Sequence, residues 1–112
     1  MKIKQRMIGD VAILSLSGKL LGGPPDSDEF KNTIYKLIDQ GITKVVADLS
    51  DVKRMNSSGL GILISGLTSL RNRNGNLKLA AVNDTMEGIL IMTKLNTIFD
   101  NFQTAEGAAQ SF

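Results

Sequence analysis

The chain has 112 residues, a formal net charge of +2, and neither cysteine nor histidine. These absences exclude disulfides, Ser-His-Asp triads, cysteine nucleophiles and conventional zinc sites. Basic residues are scattered and only one tyrosine is present, which argues against a nucleic-acid-binding surface. No run of about 18 apolar residues exists, and the first residues do not resemble a secretory signal. We therefore expect a single domain over residues 1–112 in a cytoplasmic, reducing compartment, with no metal or other cofactor.

The chain opens with a predicted β-hairpin. Residues 2–8 and 11–17 have strand-like patterns and are separated by Gly9 and Asp10, two residues that favour tight turns. A stretch rich in glycine and proline, ending at residue 25, then interrupts regular structure.

A first helix is predicted from Asp26. Glu29 lies three residues later, as in a capping box, and Gly41 is the expected left-handed residue after the helix. The apolar, valine-rich run at 44–49 then predicts a strand that is buried on both faces.

A second helix is predicted over residues 58–73, after a polar turn at 50–55. Leu60, Leu63 and Leu67 recur at helical spacing and form the stripe expected to face the core. Mostly small residues occupy the other side of this helix, which would leave a flat surface open to another protein.

The remaining chain predicts two short strands and two short helices. They are a strand around 77–81, a helix at 85–93 opened by an Asp84–Glu87 capping box, a strand around 98–102 and a helix near 104–111. Each strand–helix–strand unit should be a right-handed crossover between parallel strands. The predicted fold class is α/β, with a mixed sheet of four or five strands and about four helices.

The polar residues at the start of the second helix form the candidate site. Asn56, Ser57 and Ser58 all readily accept hydrogen bonds from the free N–H groups of a helix start. Two hydroxyls placed there would lie at the positive end of the helix and at the edge of the sheet. Plain helix capping accounts for the same residues, so the pattern alone leaves both interpretations open.

One seven-residue segment resembles the motif of a known family. It reads Met55-Asn56-Ser57-Ser58-Gly59-Leu60-Gly61. Six of its seven positions match the Met-Asp-Ser-[Ser/Thr]-Gly-Leu-Gly motif of the STAS domain in free-standing bacterial anti-sigma factor antagonists. Further similarity lies at 17–20, 74–77 and 105–108. The resemblance covers nearly the whole chain and implies the STAS-type sandwich.

The resemblance also implies a function. In that family a partner kinase, which is itself the anti-sigma factor, phosphorylates the serine that follows the aspartate. The unmodified antagonist binds the kinase and frees the sigma factor, whereas the phosphorylated form dissociates. Ser57, rather than Ser58, would then be the phosphoacceptor of a non-enzymatic regulator of sigma-factor-dependent transcription.

The motif and the small-residue side of the second helix together predict a partner-binding surface around Ser57. It comprises Asn56, Ser58, Gly59, Gly61, Ile62, Ser65, Leu21 and Gly22. The partner implied is an anti-sigma factor with serine-kinase activity, not a nucleic acid or a membrane. The helix at 85–93 is apolar nearly all round, so Ile91 or Met92 should be exposed towards a partner or a second copy. We expect a monomer or a weak homodimer.

Two positions depart from the family pattern. Asn56 stands where an aspartate is usual. The loop at 21–25 lacks the aspartate that in the family often follows a Gly-x-Leu segment before the first helix. The alternative is a STAS scaffold in another signalling or transport-associated complex that is never phosphorylated. A third interpretation, an enzyme with Ser57 as nucleophile, lacks any histidine to act as its base.

Overall fold

The secondary-structure elements follow the order predicted from the sequence. The computed structural model describes residues 1–112. Its strands are β1 (Lys2–Ile8), β2 (Val11–Leu20), β3 (Lys44–Met55), β4 (Asn76–Ala80) and β5 (Asn101–Phe102). Its helices are α1 (Asp26–Asp39), α2 (Ser57–Arg71), α3 (Asp84–Met92) and α4 (Ala105–Gln110). The predicted α/β fold class is confirmed.

The five strands form one mixed sheet in the order β1-β2-β3-β4-β5. The strands β1 and β2 form an antiparallel hairpin, and all other neighbours pair in parallel. The helices α1, α2 and α3 connect successive parallel strands, because parallel neighbours need a crossover connection. No helix has the length and apolar character that crossing a bilayer would require.

The two faces of the sheet bury cores of different size. The front face carries α1, α2 and α3 over a core of 22 buried residues that includes Leu14, Phe30 and Leu63. The back face carries α4 over 7 buried residues, among them Ile13 and Val46. The neighbours Ile13 and Leu14 belong to opposite cores because side chains alternate between the faces of a strand.

Strand β3 is longer than its sequence pattern indicates. Residues 50–55 were expected to form a polar turn, but they continue the strand to Met55. Asp51 pairs with Ser17 on β2, after a shift in register. Val52 and Met55 are buried, so this half-polar segment still contributes to the front core. The polar residues misled the prediction because an exposed strand can be polar on its outer face.

Helix α1 ends as predicted but begins differently. Gly41 has a φ of +78°, and the next N–H, from Ile42, donates to the Leu37 carbonyl at 2.9 Å, which is a Schellman motif. At the other end, the N-cap is Pro25, with no side-chain hydrogen bond. The predicted capping box at Asp26 is therefore wrong, because Asp26 already lies inside the helix.

The C-terminal third differs from the prediction at two places. The cap of α3 is Asn83, whose side chain accepts a hydrogen bond from the Met86 N–H at 2.9 Å. The predicted Asp84–Glu87 box is wrong because it lies one residue too late. The strand expected around 98–102 pairs with β4 only at Asn101–Phe102.

Helix α2 packs against α1 as well as against the sheet. A β-carbon at Gly66 would lie 2.6 Å from Cε2 of Phe30 on α1, so glycine lets the Phe30 ring pack directly against the α2 backbone. Ile62 lies one turn earlier on the same ridge and is 5% exposed within the front core. The expected placement of Ile62 on an exposed face is wrong. The leucine stripe predicts one buried face, whereas the sheet and α1 together bury a wider arc of the helix.

The back face holds one buried cation. Lys78 on β4 is 7% exposed, and its Nζ donates to the carbonyl of Ser111 at 3.0 Å and to its hydroxyl at 2.7 Å. The same Nζ lies 4.5 Å from the ring centroid of Phe112 and 3.9 Å from Oδ2 of Asp100. A charge taken out of water needs such partners, so the C-terminal residues complete the surroundings of Lys78.

The packing of α2 predicts that Ile62→Asp and Leu63→Asp both lower the free energy of unfolding by about 3 kcal/mol or more, because each buries an unpaired charge. Ser65→Asp is the matched control, since Ser65 is exposed on the same helix and should tolerate the charge within about 0.5 kcal/mol. Urea denaturation measures all three. A stability of Ile62→Asp equal to that of Ser65→Asp would contradict the assignment of Ile62 to the core.

Candidate functional site at the start of the second helix

Asn56 closes the N-terminus of α2. It has an extended backbone, and its side-chain Oδ1 accepts a hydrogen bond from the Gly59 N–H at 2.8 Å. Its carbonyl accepts the first intrahelical bond, from the Leu60 N–H at 2.9 Å. An amide and a carboxylate cap a helix about equally well, so asparagine preserves the geometry that an aspartate would give and removes only the charge.

Because Asn56 is the cap, the two serines that follow it are not needed for that role. Ser57 and Ser58 are the first two residues of α2, and both are exposed. Their hydroxyls make no hydrogen bond within the chain, and their N–H groups have no acceptor there. The first turn thus presents two free hydroxyls and two free N–H donors to solvent, at the positive end of the helix.

The end of β2 fixes the position of this turn. The Asn56 N–H lies 3.4 Å from the carbonyl oxygen of Leu20. Gly59 is buried against the same carbonyl, and a β-carbon on Gly59 would overlap that oxygen. A main-chain carbonyl cannot move aside as a side chain could, so position 59 requires glycine.

The loop after β2 packs on the same turn. Gly22 has a φ of +87°, and a β-carbon there would lie 2.6 Å from Cβ of Ser58. The neighbouring Leu21 is 41% exposed. The structure therefore brings together two segments that are far apart in sequence, both of which the sequence analysis had assigned to one surface.

A shallow apolar groove of about 290 Å³ lies on the α3 side of Ser57. Its lining consists of Met55, Asn56, Ser57, Ile89, Met92 and Thr93. Met92 is 84% exposed and the adjacent Ile91 is 56% exposed, which confirms the exposure expected for this helix. Ile89 and Thr93 were not among the predicted partner-binding residues, and neither was Met55, although it opens the seven-residue motif. For α3, the available signal in the sequence was its apolar character on every side.

The site carries little charge. Every residue that lines the groove is neutral, and the first turn of α2 contains no acidic residue. No group of three or more potential metal ligands occurs in the chain. The carboxylate of Asp48 on β3 accepts a hydrogen bond from the Ser50 N–H at 3.0 Å and does not line the groove. The helix dipole is therefore the main electrostatic feature at Ser57.

The predicted partner-binding residues divide into two groups. Asn56, Ser58, Gly61, Ser65 and Leu21 are exposed, and Gly22 is half-buried beside Ser58. Gly59 and Ile62 are buried, so neither offers a surface to a partner. Both have a structural role instead: Gly59 leaves room for the Leu20 carbonyl, and Ile62 packs in the front core.

Comparison with known proteins identifies the family. A sequence model of the STAS domain matches residues 2–109, which is nearly the entire chain. The chain belongs to the STAS domain family. This STAS domain is similar to a protein from Thermotoga maritima that is provisionally named an anti-sigma factor antagonist, with 26% identity over 106 residues, 94% of this chain and 92% of the relative.

Solved structures agree with this assignment. A crystal structure from Thermotoga maritima, described in the same terms, matches the STAS domain with a TM-score of 0.85 at 25% identity, covering 97% of this chain and 92% of that one. The phosphorylated form of the Bacillus cell fate determinant SpoIIAA has a TM-score of 0.75 at 20% identity and 98% coverage of each chain. That second likeness concerns the fold alone. The expected STAS-type fold is thus confirmed.

The contact between Gly59 and Leu20 predicts opposite effects of alanine at two glycines of α2. Gly59→Ala should destabilise the domain, because its methyl group would overlap the Leu20 carbonyl. Gly61→Ala is the control: nothing lies within 4 Å of its β-carbon, so higher helix propensity should stabilise the domain by up to about 1 kcal/mol. Thermal unfolding measures both. A gain of stability for Gly59→Ala would contradict the close approach.

The cap predicts a second contrast, at Asn56. Asn56→Ala should lower the free energy of unfolding by about 0.5–2 kcal/mol, because the Gly59 N–H loses its acceptor. Asn56→Asp keeps that acceptor and adds a negative charge at the helix N-terminus, worth about 0.3–1 kcal/mol, so it should be at least as stable as the native chain. Equal losses for the two variants in urea denaturation would rule out the capping role.

Proposed function

We propose that this STAS domain is a phosphorylation-controlled anti-sigma factor antagonist. In its unmodified form it binds an anti-sigma factor that is also a serine kinase, and it thereby regulates sigma-factor-dependent transcription in the cytoplasm. Phosphorylation of Ser57 releases the partner. The observation that carries this proposal is the state of Ser57: an exposed, unbonded hydroxyl on the first residue of α2, within the motif that resembles the antagonist family.

The chemistry of the first turn suits a phosphate on Ser57. Phosphorylation adds about −1.5 to −2 charge at neutral pH. The free N–H groups of Ser57 and Ser58 and the helix dipole favour an anion there, by about 0.3–1 kcal/mol for the dipole contribution. No acidic side chain occurs in this turn to oppose the added charge. The modified domain should therefore keep its fold and its stability.

Release then has to come from the interface. The surface around Ser57 is made of small or neutral side chains: Asn56, Ser58, Gly61 and Ser65 on α2, with Leu21 beside them. Such a surface lets a partner backbone come close and fits a neutral hydroxyl. A dianion inserted into that contact would be buried without a counter-charge, which is sufficient to reverse binding.

The neutral groove beside Ser57 supports a binding role rather than catalysis. Its lining offers thioether, amide, hydroxyl and hydrocarbon groups, none of which is a general base for activating the Ser57 hydroxyl. The exposed Met92 at its rim adapts readily to the shape of a partner, because methionine side chains are flexible. We assign no enzymatic activity to the domain.

Asn56 favours a second candidate function. An aspartate before the phosphoacceptor is usual in the antagonist family. Asn56 in its place removes a negative charge that a kinase could recognise. A STAS scaffold of another signalling or transport-associated complex, never phosphorylated, would carry the same fold and the same cap.

The test compares Ser57→Ala with Ser58→Ala. Both proteins and the native chain are purified from the native host, and intact mass and phosphopeptide mapping count and locate phosphate. We expect phosphate on Ser57 in the native chain and in Ser58→Ala, and none in Ser57→Ala. Ser57→Ala should retain a co-purifying anti-sigma factor, whereas Ser57→Asp should lose most of it.

Three outcomes would contradict the proposal. Modification only at Ser58 would refute the assignment of the acceptor. No phosphate on the native chain, with the same co-purifying proteins for Ser57→Ala and Ser57→Asp, would favour the unmodified scaffold. A large drop in melting temperature on phosphorylation would show that the switch unfolds the domain rather than changing its surface.

A further inference from the structure

The edge strand β1 carries a row of cations on the back face of the sheet. Lys2, Lys4 and Arg6 alternate along the strand, and the register places Arg6 opposite Ile13 of the back core. All three therefore share one face, since side chains of a strand alternate with a period of two. Only β2 pairs with β1, so the other edge of β1 has unpaired main-chain N–H and carbonyl groups.

Helix α4 covers only part of the back face. It packs over Ile13 and Val46 and leaves the region near the start of β1 uncovered. A concavity of about 630 Å³ lies there, the largest of the molecule, and Lys2, Ser17 and Lys53 contribute to its lining. Asp51 and Ser50 of β3 also line it, and no residue of the site at Ser57 does.

The row is only partly neutralised within the chain. Nη2 of Arg6 lies 3.1 Å from Oε1 of Glu106 on α4, and the pKa of Glu106 is lowered by its own backbone N–H and by the Arg6 guanidinium. Lys2, Lys4 and Lys53 take part in none of the four ion pairs. One carboxylate already sits against this row, and two of its three cations remain free.

We propose that β1 binds an extended acidic segment of another protein, which adds to the sheet edge as a sixth strand with carboxylates over Lys2 and Lys4. Alternate residues of a strand are about 6.8 Å apart, so acidic residues at every second position of the segment would match the lysine row. Its main chain would pair with the free edge of β1, and its intervening residues would lie beside Ile3 and Met7 on the front face.

The charges of β1 select against other occupants. A second copy pairing edge to edge would place lysine and arginine opposite one another, which destabilises a strand pair. No aromatic residue occurs in β1 to stack on the bases of a single-stranded nucleic acid. The cationic face of this row includes no apolar side chain before Ile8 that could insert into a membrane.

Lysines on an edge strand also prevent aggregation, and the two roles are compatible. The positive charges of β1 repel a basic strand and offer nothing to a neutral one, so an acidic strand is the favoured partner. This surface runs along the free edge of β1 with its cations on the back face, whereas α2 and Ser57 lie with the front core, so the inference is independent of the proposed function.

The test is fluorescence anisotropy with a labelled seven-residue peptide that alternates glutamate with valine and threonine. A peptide with glutamine at each glutamate position is the control ligand. We expect the glutamate peptide to bind the native chain at least tenfold more tightly than the glutamine peptide, and more weakly as salt is added. Lys2→Glu/Lys4→Glu should lose tenfold or more in affinity. Lys31→Glu/Lys36→Glu, with the same change of net charge on exposed positions of α1, should not.

Amide NMR locates the bound peptide. Shift changes and slowed exchange should occur in residues 2–8 and be absent from α2, and Ser57→Asp should bind the peptide as the native chain does. Lys2→Gln/Lys4→Gln, which only removes the charges, should show an intermediate loss. Equal binding of both peptides, undiminished binding to Lys2→Glu/Lys4→Glu, no saturable binding, or binding only to vesicles of anionic lipid would each overturn the proposal.

Discussion

The contact between the Gly59 Cα and the main-chain carbonyl of Leu20 is the constraint on which the site depends. It fixes the start of α2 against the end of β2 with no space for a side chain. The same approach brings Gly22 against Ser58 and keeps Leu21 at the surface beside the first turn. Together with the sheet pairing of Leu20 and Met55, this contact places the two segments of the presented surface side by side.

Asn56 caps α2, which leaves the proposed phosphoacceptor Ser57 without a capping role. Asn56 satisfies the Gly59 N–H, so the hydroxyl of Ser57 contributes little to the stability of α2. A residue that the fold does not need can be modified without unfolding the protein, and a phosphate at that position is favoured by the free N–H groups of the turn. The substitution of asparagine for the family's aspartate leaves this division of roles intact.

The sheet places its two candidate surfaces on opposite sides. Packing of α1, α2 and α3 on the front face supports the neutral surface around Ser57, whose close approach to a partner depends on small side chains. The back face has one short helix, a buried Lys78 and an edge strand rich in lysine. The two surfaces therefore differ in electrostatic character: the first is neutral and the second is cationic.

Local sequence patterns determined the order of elements, the Gly41 stop of α1, the fold class and the candidate turn at 56–59. These features depend on the period of the hydrophobic residues and on the backbone preferences of a few neighbouring residues, both of which are local properties of the sequence. The motif directed attention to Ser57 because its residues are contiguous. Membership of the STAS family followed from the same segment and from similarity along the chain.

Tertiary structure alone decided which residues are buried and which lie together. Ile62 is core because α1 covers one side of α2, and Ser50–Met55 is strand because β2 pairs with it. Asn56 rather than a serine caps the helix, which only the observed hydrogen bond reveals. The groove between Met55 and Met92 and the partners of Lys78 join residues distant in sequence. Such contacts depend on how elements pack against one another, and a pattern within one element carries no information about its neighbours.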